Sequence, residues 1–455
     1  MSQNQIKEEW DFIVVGAGIC GLSLASLLAN DGYKVLVLEK SQNIGGRAQV
    51  VEKDGFILDY GIHTVRFGEK STLAKTLETI RTPEHEPISF KQLGISYYYL
   101  EKTEIEEEKK NPLPRWEIFP IGISGITKGS YFKLKRLLRF LWKFILSKSK
   151  KNLDISVEKW AESKKFTEVQ FRFLKLITSS IQVCPFLDRA SIGELKRNLM
   201  EVVKKRLSAT YPKGGWKLIF ERLISKIKSS GSKIITNTEV KEIVIEKKEN
   251  MNVAVGVKTD GEQSTAKNII IGIPVQQVKN ILDKRLLDSE TFDLYENLRP
   301  TSGISIDFCL NKVISDGDGL YFFEDPVGFG YFTSNLDESA APEGKQILTM
   351  FFPCDFGDLD NEKFRKENLQ RIRNKLFKAF PNLKQSVEFE RPLFLKMVDG
   401  AEVNTKQYTE LRPRFTVPGI KNLYLVGDST AGEGAGGDIG HNSVWETYHE
   451  IKKGY

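Results

Sequence analysis

Three glycines and one acidic residue near the N-terminus form the first set whose types and spacing could do chemistry. Gly16, Gly18 and Gly21 follow the apolar run Phe12–Val15 and precede a run of small and apolar residues. In such a strand–turn–helix, the glycines permit a tight turn, close approach of a diphosphate and close packing of the helix. The N-terminus of a helix attracts phosphate. Glu39 ends the next apolar run and can accept hydrogen bonds from a ribose, so the pattern predicts a dinucleotide site.

Two further glycine-rich segments are predicted to complete that site. Lys40 and the turn Gly45–Arg47 follow Glu39 closely, and they would bring backbone N–H groups and a guanidinium toward a diphosphate. Near the C-terminus, a strand-length apolar run leads into Gly427–Asp428 and then into a glycine-rich loop, Gly434–Gly440. We interpret the two ends of the chain as two walls of one site.

These motifs, together with Asp59–His63, resemble the FAD-binding sequences of the amine oxidase/phytoene desaturase flavoprotein superfamily. The resemblance implies that the cofactor is FAD. It also implies that Gly427 and Asp428 contact the ribityl and pyrophosphate groups, and that Val240 contacts the adenine through its backbone. The predicted FAD-binding residues are Gly16, Gly18, Gly21, Glu39, Lys40, Gly46, Arg47, Gly61, Ile62, His63, Val240, Gly427, Asp428, Gly437, Asp438 and Ile439.

Three side chains are candidates for catalysis beside the flavin ring. His63 follows the Gly61 turn, and Asp438 and His441 stand at the start of the last predicted helix. The N–H groups of that helix would stabilise negative charge on the reduced ring. Two of the three also have a structural interpretation: His63 as a hydrogen-bonded structural histidine, and Asp438 as the cap of the helix.

The motifs predict an α/β fold with a discontinuous Rossmann-type FAD-binding domain. Its three pieces are residues 8–80, 205–280 and 390–455. The inserted segments, 81–204 and 281–389, are predicted to form a substrate domain made of a mixed sheet with helices. No second G-x-G-x-x-G follows a predicted strand, so NAD(P)H is disfavoured as the electron partner. Dioxygen, a quinone or another redox carrier is expected instead.

Composition and charge indicate the class of protein and the cellular compartment in which it is expected. The 455 residues are 40% hydrophobic and 28% charged, which is ordinary for a globular domain and excludes wholesale disorder. The four cysteines lie far apart without a C-x-x-C pair, so we predict a reducing compartment and no metal site. The polar N-terminus predicts that there is no signal peptide, and no stretch approaches the ~20 apolar residues of a spanning helix. We therefore predict a cytoplasmic protein that is soluble or peripherally attached to a membrane.

One basic stretch, residues 129–151, contains eight cations and no acid. On a helical wheel, the apolar residues of segment 131–146 share one half and the cations cluster on the other. This composition predicts a helix that contacts an anionic membrane surface. The alternative is an ordinary amphipathic helix packed on its own domain. Nucleic acid is not predicted as a partner, because no recognised binding module accompanies the charge.

The substrate class is open between amines and polyenes at this point. Amine oxidases of the superfamily carry a lysine near flavin N5, on a strand of the substrate domain. The corresponding predicted strand here, Gly303–Leu310, has none, although Lys312 lies just beyond it. The closing sequence, from Val398 to Gly440, resembles that of the phytoene desaturase, carotenoid isomerase and retinol saturase branch. The resemblance implies hydride transfer at flavin N5 to or from a hydrophobic, unsaturated, isoprenoid-like small molecule, by desaturation, saturation or isomerisation.

Two alternatives to this function remain. One is an amine oxidase or a protoporphyrinogen-oxidase-like flavin oxidase. The other belongs to a different class, the non-catalytic prenyl-binding carriers of the GDP-dissociation-inhibitor type, which share the fold. Their nucleotide motif is degraded, whereas Gly16, Gly18, Gly21, Glu39 and Arg47 are all present here, which favours an enzyme.

Overall fold

The structure is a computed structural model that describes residues 9–100, 115–119, 152–207 and 209–454. Its strands, in chain order, are β1 (Trp10–Val15), β2 (Val35–Leu38), β3 (Val50–Lys53), β4 (Phe56–Asp59), β5 (Val65–Arg66), β6 (Phe90–Gln92), β7 (Ser96–Leu100), β8 (Arg115–Phe119), β9 (Ala209–Pro212), β10 (Lys233–Ile235), β11 (Glu242–Lys248), β12 (Met251–Lys258), β13 (Gln263–Ile271), β14 (Ser302–Leu310), β15 (Tyr321–Glu324), β16 (Val327–Phe332), β17 (Gln346–Cys354), β18 (Val387–Leu395), β19 (Ile420–Lys421) and β20 (Leu423–Leu425). Its α-helices are α1 (Ile19–Asn30), α2 (Thr72–Thr79), α3 (Val157–Ser163), α4 (Glu168–Gln182), α5 (Ile192–Lys205), α6 (Gly215–Ser229), α7 (Ser289–Asn297), α8 (Thr333–Leu336), α9 (Glu362–Ala379), α10 (Leu383–Ser386) and α11 (Gly437–Lys453).

The first sheet combines strands from both ends and the middle of the chain. Its order is β10-β2-β1-β13-β12-β11, with β20 paired to β13 and β19 to β12. β10, β2, β1, β13 and β20 form a parallel set. All residues of β2 are buried, as expected for a parallel strand covered on both faces. On one face α1 packs with α6 and α11, and on the other a second core includes residues of α7. This confirms the predicted Rossmann-type architecture.

The register of the first sheet decides where its loops meet. Val15 at the end of β1 lies opposite Leu38 and Ile271, and Ile271 lies opposite Leu425 at the end of β20. Four parallel strands therefore end at one edge of the sheet. In open α/β sheets, ligands bind beyond the carboxyl ends of the strands, and both glycine-rich motifs follow these strand ends.

The second sheet is mixed and carries helices, as predicted for the substrate domain. Its order is β18-β14-β17-β16-β15-β7-β8, and the pair of β15 with β7 is parallel while the other pairs are antiparallel. Every residue of β14 is buried, because β17 and β18 flank it. Residues of α9 pack into one core cluster of this sheet and residues of α3, α4 and α5 into another.

The predicted domain boundaries stay predictions. Two elements lie close to them. β18 begins at Val387 and runs through position 390 as part of the second sheet. α7 falls in the predicted segment 281–389, yet Tyr295 of this helix packs into a core cluster of the first sheet.

The predicted membrane-contact helix at residues 131–146 lies outside the described residues. In the part of the chain that the structure describes, no helix combines the length and the apolar character needed to cross a membrane.

Candidate functional site

A cavity of about 1420 Å³ lies at the edge where the parallel strands of the first sheet end. We call the part of its wall with the glycine-rich motifs the nucleotide end, and the part with apolar side chains from α4, α5, β16 and β17 the chamber end. The structure brings most of the predicted site residues to this one wall. They are Gly16, Gly18, Glu39, Lys40, Gly46, Arg47, Ile62, His63, Val240, Gly427, Asp428, Gly437, Asp438 and His441.

Three predicted cofactor residues, Gly21, Gly61 and Ile439, do not form part of the wall. A Cβ atom on Gly21 would lie 2.3 Å from the carbonyl oxygen of Gly16, so only glycine lets α1 pack this closely. Gly61 has a φ of +106°, which an L side chain rarely adopts. Ile439 is fully buried beside Val403. These three residues support the wall without lining the cavity. Backbone geometry requires glycine at Gly21 and Gly61, and core packing requires an apolar side chain at Ile439.

The first glycine turn leaves open space in front of α1. Gly16 has a φ of +101°, which makes the turn tight. A Cβ atom on Gly18 would meet no other atom within 4 Å, so the cavity reaches the backbone at this point. Gly18 is also the N-cap of α1. The open approach and the free N–H groups of the helix fit a bound diphosphate.

The carboxylate of Glu39 is hydrogen-bonded to the first glycine turn. Its Oε2 atom accepts a hydrogen bond of 2.8 Å from the backbone N–H of Ala17, and Oε1 accepts from the backbone N–H of Ser41 at 2.9 Å. The side chain is buried at the end of the cavity that also carries Lys40 and Val240. The Ser41 hydroxyl also donates to Oε1 at 3.0 Å. These bonds aim the carboxylate, and a second lone pair on Oε2 stays available to a ligand.

Arg47 and Asp428 form an ion pair that joins the two ends of the chain. Two parallel hydrogen bonds of 2.7 and 2.6 Å connect the guanidinium with the carboxylate. Asp428 also accepts from the backbone N–H of Gly400 at 2.8 Å. Burial opposes the ionised form of Asp428, but Arg47 and the N–H group hold its pKa below the ordinary value. The guanidinium of Arg47, which was predicted to approach a diphosphate, is thus already neutralised by Asp428 of the C-terminal motif.

His63 is held by the backbone and is neutral. Its Nε2 atom lies 3.1 Å from the carbonyl oxygen of Arg47 and 3.3 Å from that of Tyr60. Since carbonyl oxygens only accept, this nitrogen carries the hydrogen. Burial lowers the pKa of His63 to about 4. The structural interpretation of His63 therefore has direct support, although the ring also lines the cavity.

His441 stacks on Trp216, with ring centroids 6.4 Å apart and an angle of 15° between the planes. Burial lowers the pKa of His441 to about 4, so this histidine is also neutral. Its Nδ1 atom is buried and has no hydrogen-bond partner among the described residues. An unpaired buried polar atom costs ~1–3 kcal/mol, which a hydrogen-bonding ligand in the cavity would recover.

Asp438 does not cap the last helix. The helix begins at Gly437 and its N-cap is Gly436, so Asp438 lies in the first turn. Its carboxylate forms an ion pair of 2.9 Å with Arg66, which also donates to Asn198 at 2.7 Å. Burial raises the pKa of Asp438 in spite of this pair. The interpretation as a cap is wrong because the glycine-rich loop ends two positions earlier than a capping role for Asp438 requires.

Sequence reasoning missed three features of the wall. Asp399 is buried on it, and burial together with the neighbouring Asp428 raises its pKa to about 7. Trp216 lies on it between the two histidines. The third is the apolar face of α4. The spacing of Phe173, Ile177 and Ile181 by one helical turn was the available signal for that face. Asp399 and Trp216 reach the cavity only through the tertiary fold, so no local pattern indicated them.

The residues of this site together define a class of protein. One cavity is lined by the ends of parallel strands, an open glycine turn, the anchored Glu39, the unpaired buried nitrogen of His441 and a group of apolar side chains. These residues fit a bound dinucleotide. The class is that of dinucleotide-dependent α/β oxidoreductases.

Comparison with known families gives a more specific result. The family described as flavin containing amine oxidoreductase matches residues 19–441. The chain belongs to this family and is a flavoprotein oxidoreductase, which confirms the predicted resemblance.

Two relatives are similar over most of the chain. A 4,4'-diapolycopen-4-al dehydrogenase from Metabacillus indicus is 22% identical, with 91% of this chain and 92% of the relative covered. A chloroplastic prolycopene isomerase from Daucus carota is 28% identical, with 93% of this chain and 77% of the relative covered.

Solved structures share the fold. The crystal structure of an oxidoreductase from Methanosarcina mazei aligns with a TM-score of 0.77 and 20% identity, covering 97% of this chain and 99% of the other. A RAB GDI from Plasmodium falciparum aligns with a TM-score of 0.60 and 13% identity, covering 98% of each chain. The fold alone therefore does not separate oxidoreductases from carriers of that type.

Proposed function

We propose that the protein binds FAD non-covalently and transfers hydride between the flavin and a long, uncharged, unsaturated lipid. The observation that carries the proposal is the cavity, because one continuous space joins the glycine-rich end with an apolar chamber. A flavin can contact a substrate only if the two share such a space. When bound, FAD supplies the hydride acceptor or donor, and the protein binds, orients and excludes water.

The apolar chamber consists of side chains from three elements that pack together. Phe173, Ile177 and Ile181 stand on one face of α4, and Phe329 and Phe351 come from β16 and β17. None of these side chains carries a charge, so the chamber suits a hydrocarbon. The names of both relatives refer to polyenes, which supports the same substrate class.

The alternative of an amine substrate has less support. No residue of β14 lines the cavity, and Lys312 is exposed beyond that strand and off the wall. Two lysines do line the cavity. Lys40 lies at the nucleotide end, and Lys396 is exposed and paired with Asp360. In the second sheet, β16 and β17 contribute side chains to the cavity lining, and neither strand contains a lysine.

The candidate catalytic residues act by orientation in this proposal. His63 and His441 are neutral near pH 7 because burial lowers both pKa values, so neither donates a proton as an imidazolium. The Nε2 hydrogen of His63 is used by backbone carbonyls. His441 offers its unpaired Nδ1 atom to a group in the cavity. Asp438, paired with Arg66, holds the first turn of α11 in place.

We also propose that the basic segment 131–146, for which the sequence predicts a helix, attaches the enzyme to an anionic membrane, from which the lipid enters. Two apolar side chains on the cavity wall support this. Val203 is 68% exposed and Met200 is 44% exposed, both on α5. Exposed apolar side chains that also line the cavity would meet lipid favourably.

The proposal is tested with the purified protein under anaerobic conditions. Flavin absorbance that is released by acid precipitation would support non-covalent FAD, and flavin retained by the precipitate would contradict it. The flavin band is then followed with two panels, one of primary amines and polyamines and one of isoprenoid lipids in micelles. The lipids are also offered to dithionite-reduced protein, because a saturase or isomerase requires reduced flavin. Rapid bleaching by an amine, or no lipid product in either redox state, would overturn the proposed substrate class.

A further inference from the structure

Asp399 is a buried carboxyl group on the cavity wall whose two oxygens have unequal surroundings. The hydroxyl of Thr301 donates to Oδ2 at 2.9 Å, and the backbone N–H of Asp399 donates to the same hydroxyl oxygen at 2.9 Å. Oδ1 points toward the glycine-rich loop, where a Cβ atom on Gly436 would lie 3.7 Å away. Within the described part of the chain, Oδ1 accepts no hydrogen bond.

The Asp399 carboxyl group has no counter-ion of its own. Arg47 directs both of its paired hydrogen bonds to Asp428, and Asp428 is tied to the residue after Asp399 through the N–H of Gly400. Asp399 and Asp428 thus both lie near the guanidinium of Arg47. Of these two carboxyl groups, only that of Asp428 is hydrogen-bonded to it. In a buried site, the carboxyl group without a counter-ion is the one that keeps a proton.

A dinucleotide would add negative charge at this place. The diphosphate of FAD is anionic, and the glycine turn and Asp428 lie at the end of the cavity proposed to hold it. We propose that Asp399 carries a proton in the FAD-bound protein, so that FAD binding takes up a proton near neutral pH. This inference rests on the proposed function. It makes Asp399 a positioning residue of the cofactor site, in which a neutral carboxyl group can donate to the ligand instead of repelling it.

The other groups around the two carboxyls do not titrate in this range. Arg47 keeps its charge because Asp428 pairs with it. Burial raises the pKa of Cys20 to about 12, so the thiol stays neutral. Burial lowers the pKa of His441 to about 4. For Asp399, burial and then Asp428 raise the pKa to about 7, against the opposing effect of the Thr301 hydroxyl.

The direction of the pH effect follows from linkage. The free protein loses the Asp399 proton as pH rises through about 7, and the bound diphosphate moves that loss to a higher pH. Between the two values the complex holds more protons than its components, so FAD affinity falls by up to about tenfold per pH unit. Below both values the affinity does not depend on this group.

The experiment measures protons rather than turnover. FAD is titrated calorimetrically into flavin-stripped protein from about pH 6 to about pH 9, in buffer pairs with different ionisation enthalpies, which yields the protons taken up. Wild type is compared with Asp399→Asn, Thr301→Val and Asp59→Asn. Asp59 is the matched control, because burial likewise raises its pKa to about 7, while the residue does not line the cavity.

We expect uptake of up to about one proton in wild type and in Asp59→Asn, and none in Asp399→Asn. Asp399→Asn should bind FAD as tightly as wild type at the acidic end and more tightly at the alkaline end. A merely structural role would weaken binding at every pH. Thr301→Val removes the donor that lowers the pKa of Asp399, so its uptake should shift to higher pH.

Three outcomes would overturn the inference: flavin binding without proton uptake in wild type, uptake that persists in Asp399→Asn, and uptake that disappears in Asp59→Asn. If Asp399→Asn does not fold, the shift in Thr301→Val decides, and an unshifted profile contradicts the inference. Failure of the wild-type protein to bind FAD at any pH would instead overturn the proposed function.

Discussion

The two ends of the cavity are constructed in different ways. At the nucleotide end, backbone atoms and glycines form the surface, and the motifs are short runs of consecutive residues such as Gly16–Gly21. At the chamber end, single side chains from α4, α5, β16 and β17 form the surface. The first end tolerates few residue types because a Cβ atom would fill it. The second requires only apolar side chains of suitable size, so it can be adapted to different substrates.

The largest expected effect is at the nucleotide end, where Gly21→Ala should disrupt both the turn and flavin binding. The new Cβ atom would lie 2.3 Å from the carbonyl oxygen of Gly16, and overpacking of this kind costs ~1–3 kcal/mol of stability. Gly18→Ala is the matched control. Its Cβ atom meets nothing within 4 Å, so it should keep the stability of wild type and lose only flavin. Urea unfolding and flavin content are measured, and equal loss of stability in both variants would contradict the difference.

A smaller effect at the same end is expected for Glu39→Ala. The variant loses a carboxylate that accepts from Ala17 and Ser41, and hydrogen bonds to a charged group contribute ~1.5–3 kcal/mol. FAD should therefore bind about 10- to 100-fold more weakly. Glu239→Ala, at an exposed acid of the same wall, should leave the affinity unchanged. Equal affinities of Glu39→Ala and wild type would exclude the ribose role of Glu39.

At the chamber end, Ile177→Asn should change lipid kinetics and leave flavin content unchanged. The amide would stand unpaired among apolar side chains, which costs ~1–3 kcal/mol and raises the KM for the lipid about tenfold. Lys175→Asn, on the exposed side of the same helix, is the control for effects on α4 itself. Loss of flavin with unchanged lipid kinetics in Ile177→Asn would show that the chamber has been assigned to the wrong ligand.

The smallest expected effect concerns delivery of lipid to the chamber. A cation near an anionic membrane contributes ~1 kcal/mol at most, so Lys135→Gln should weaken binding to anionic vesicles about fivefold. The control, Lys363→Gln on the exposed side of α9, should bind like wild type. Cosedimentation at low and high salt measures both. Identical binding of the two variants would favour a helix packed on its own domain.

The nucleotide end was predicted from the sequence, whereas the chamber end was not. The glycine turns, Glu39 and Gly427–Asp428 were predicted as one site and meet on one wall. The wall strand of the second sheet was not predicted, because β14, β16 and β17 are all apolar and periodicity does not reveal their order in the sheet. Gly303–Leu310, which the sequence indicated as the strand near the flavin, does not line the cavity.

The sequence by itself determined the strand–turn–helix elements and their glycines, because conformations with positive φ and close backbone approach leave a local trace in residue type. Only the tertiary structure decided which charges meet. Arg47 and Asp428 are 381 positions apart along the chain, and their pairing deprives Asp399 of a counter-ion. Ionisation depends on burial and on neighbours in space, so the chain order of these residues carries no information about which of the two carboxyl groups keeps a proton.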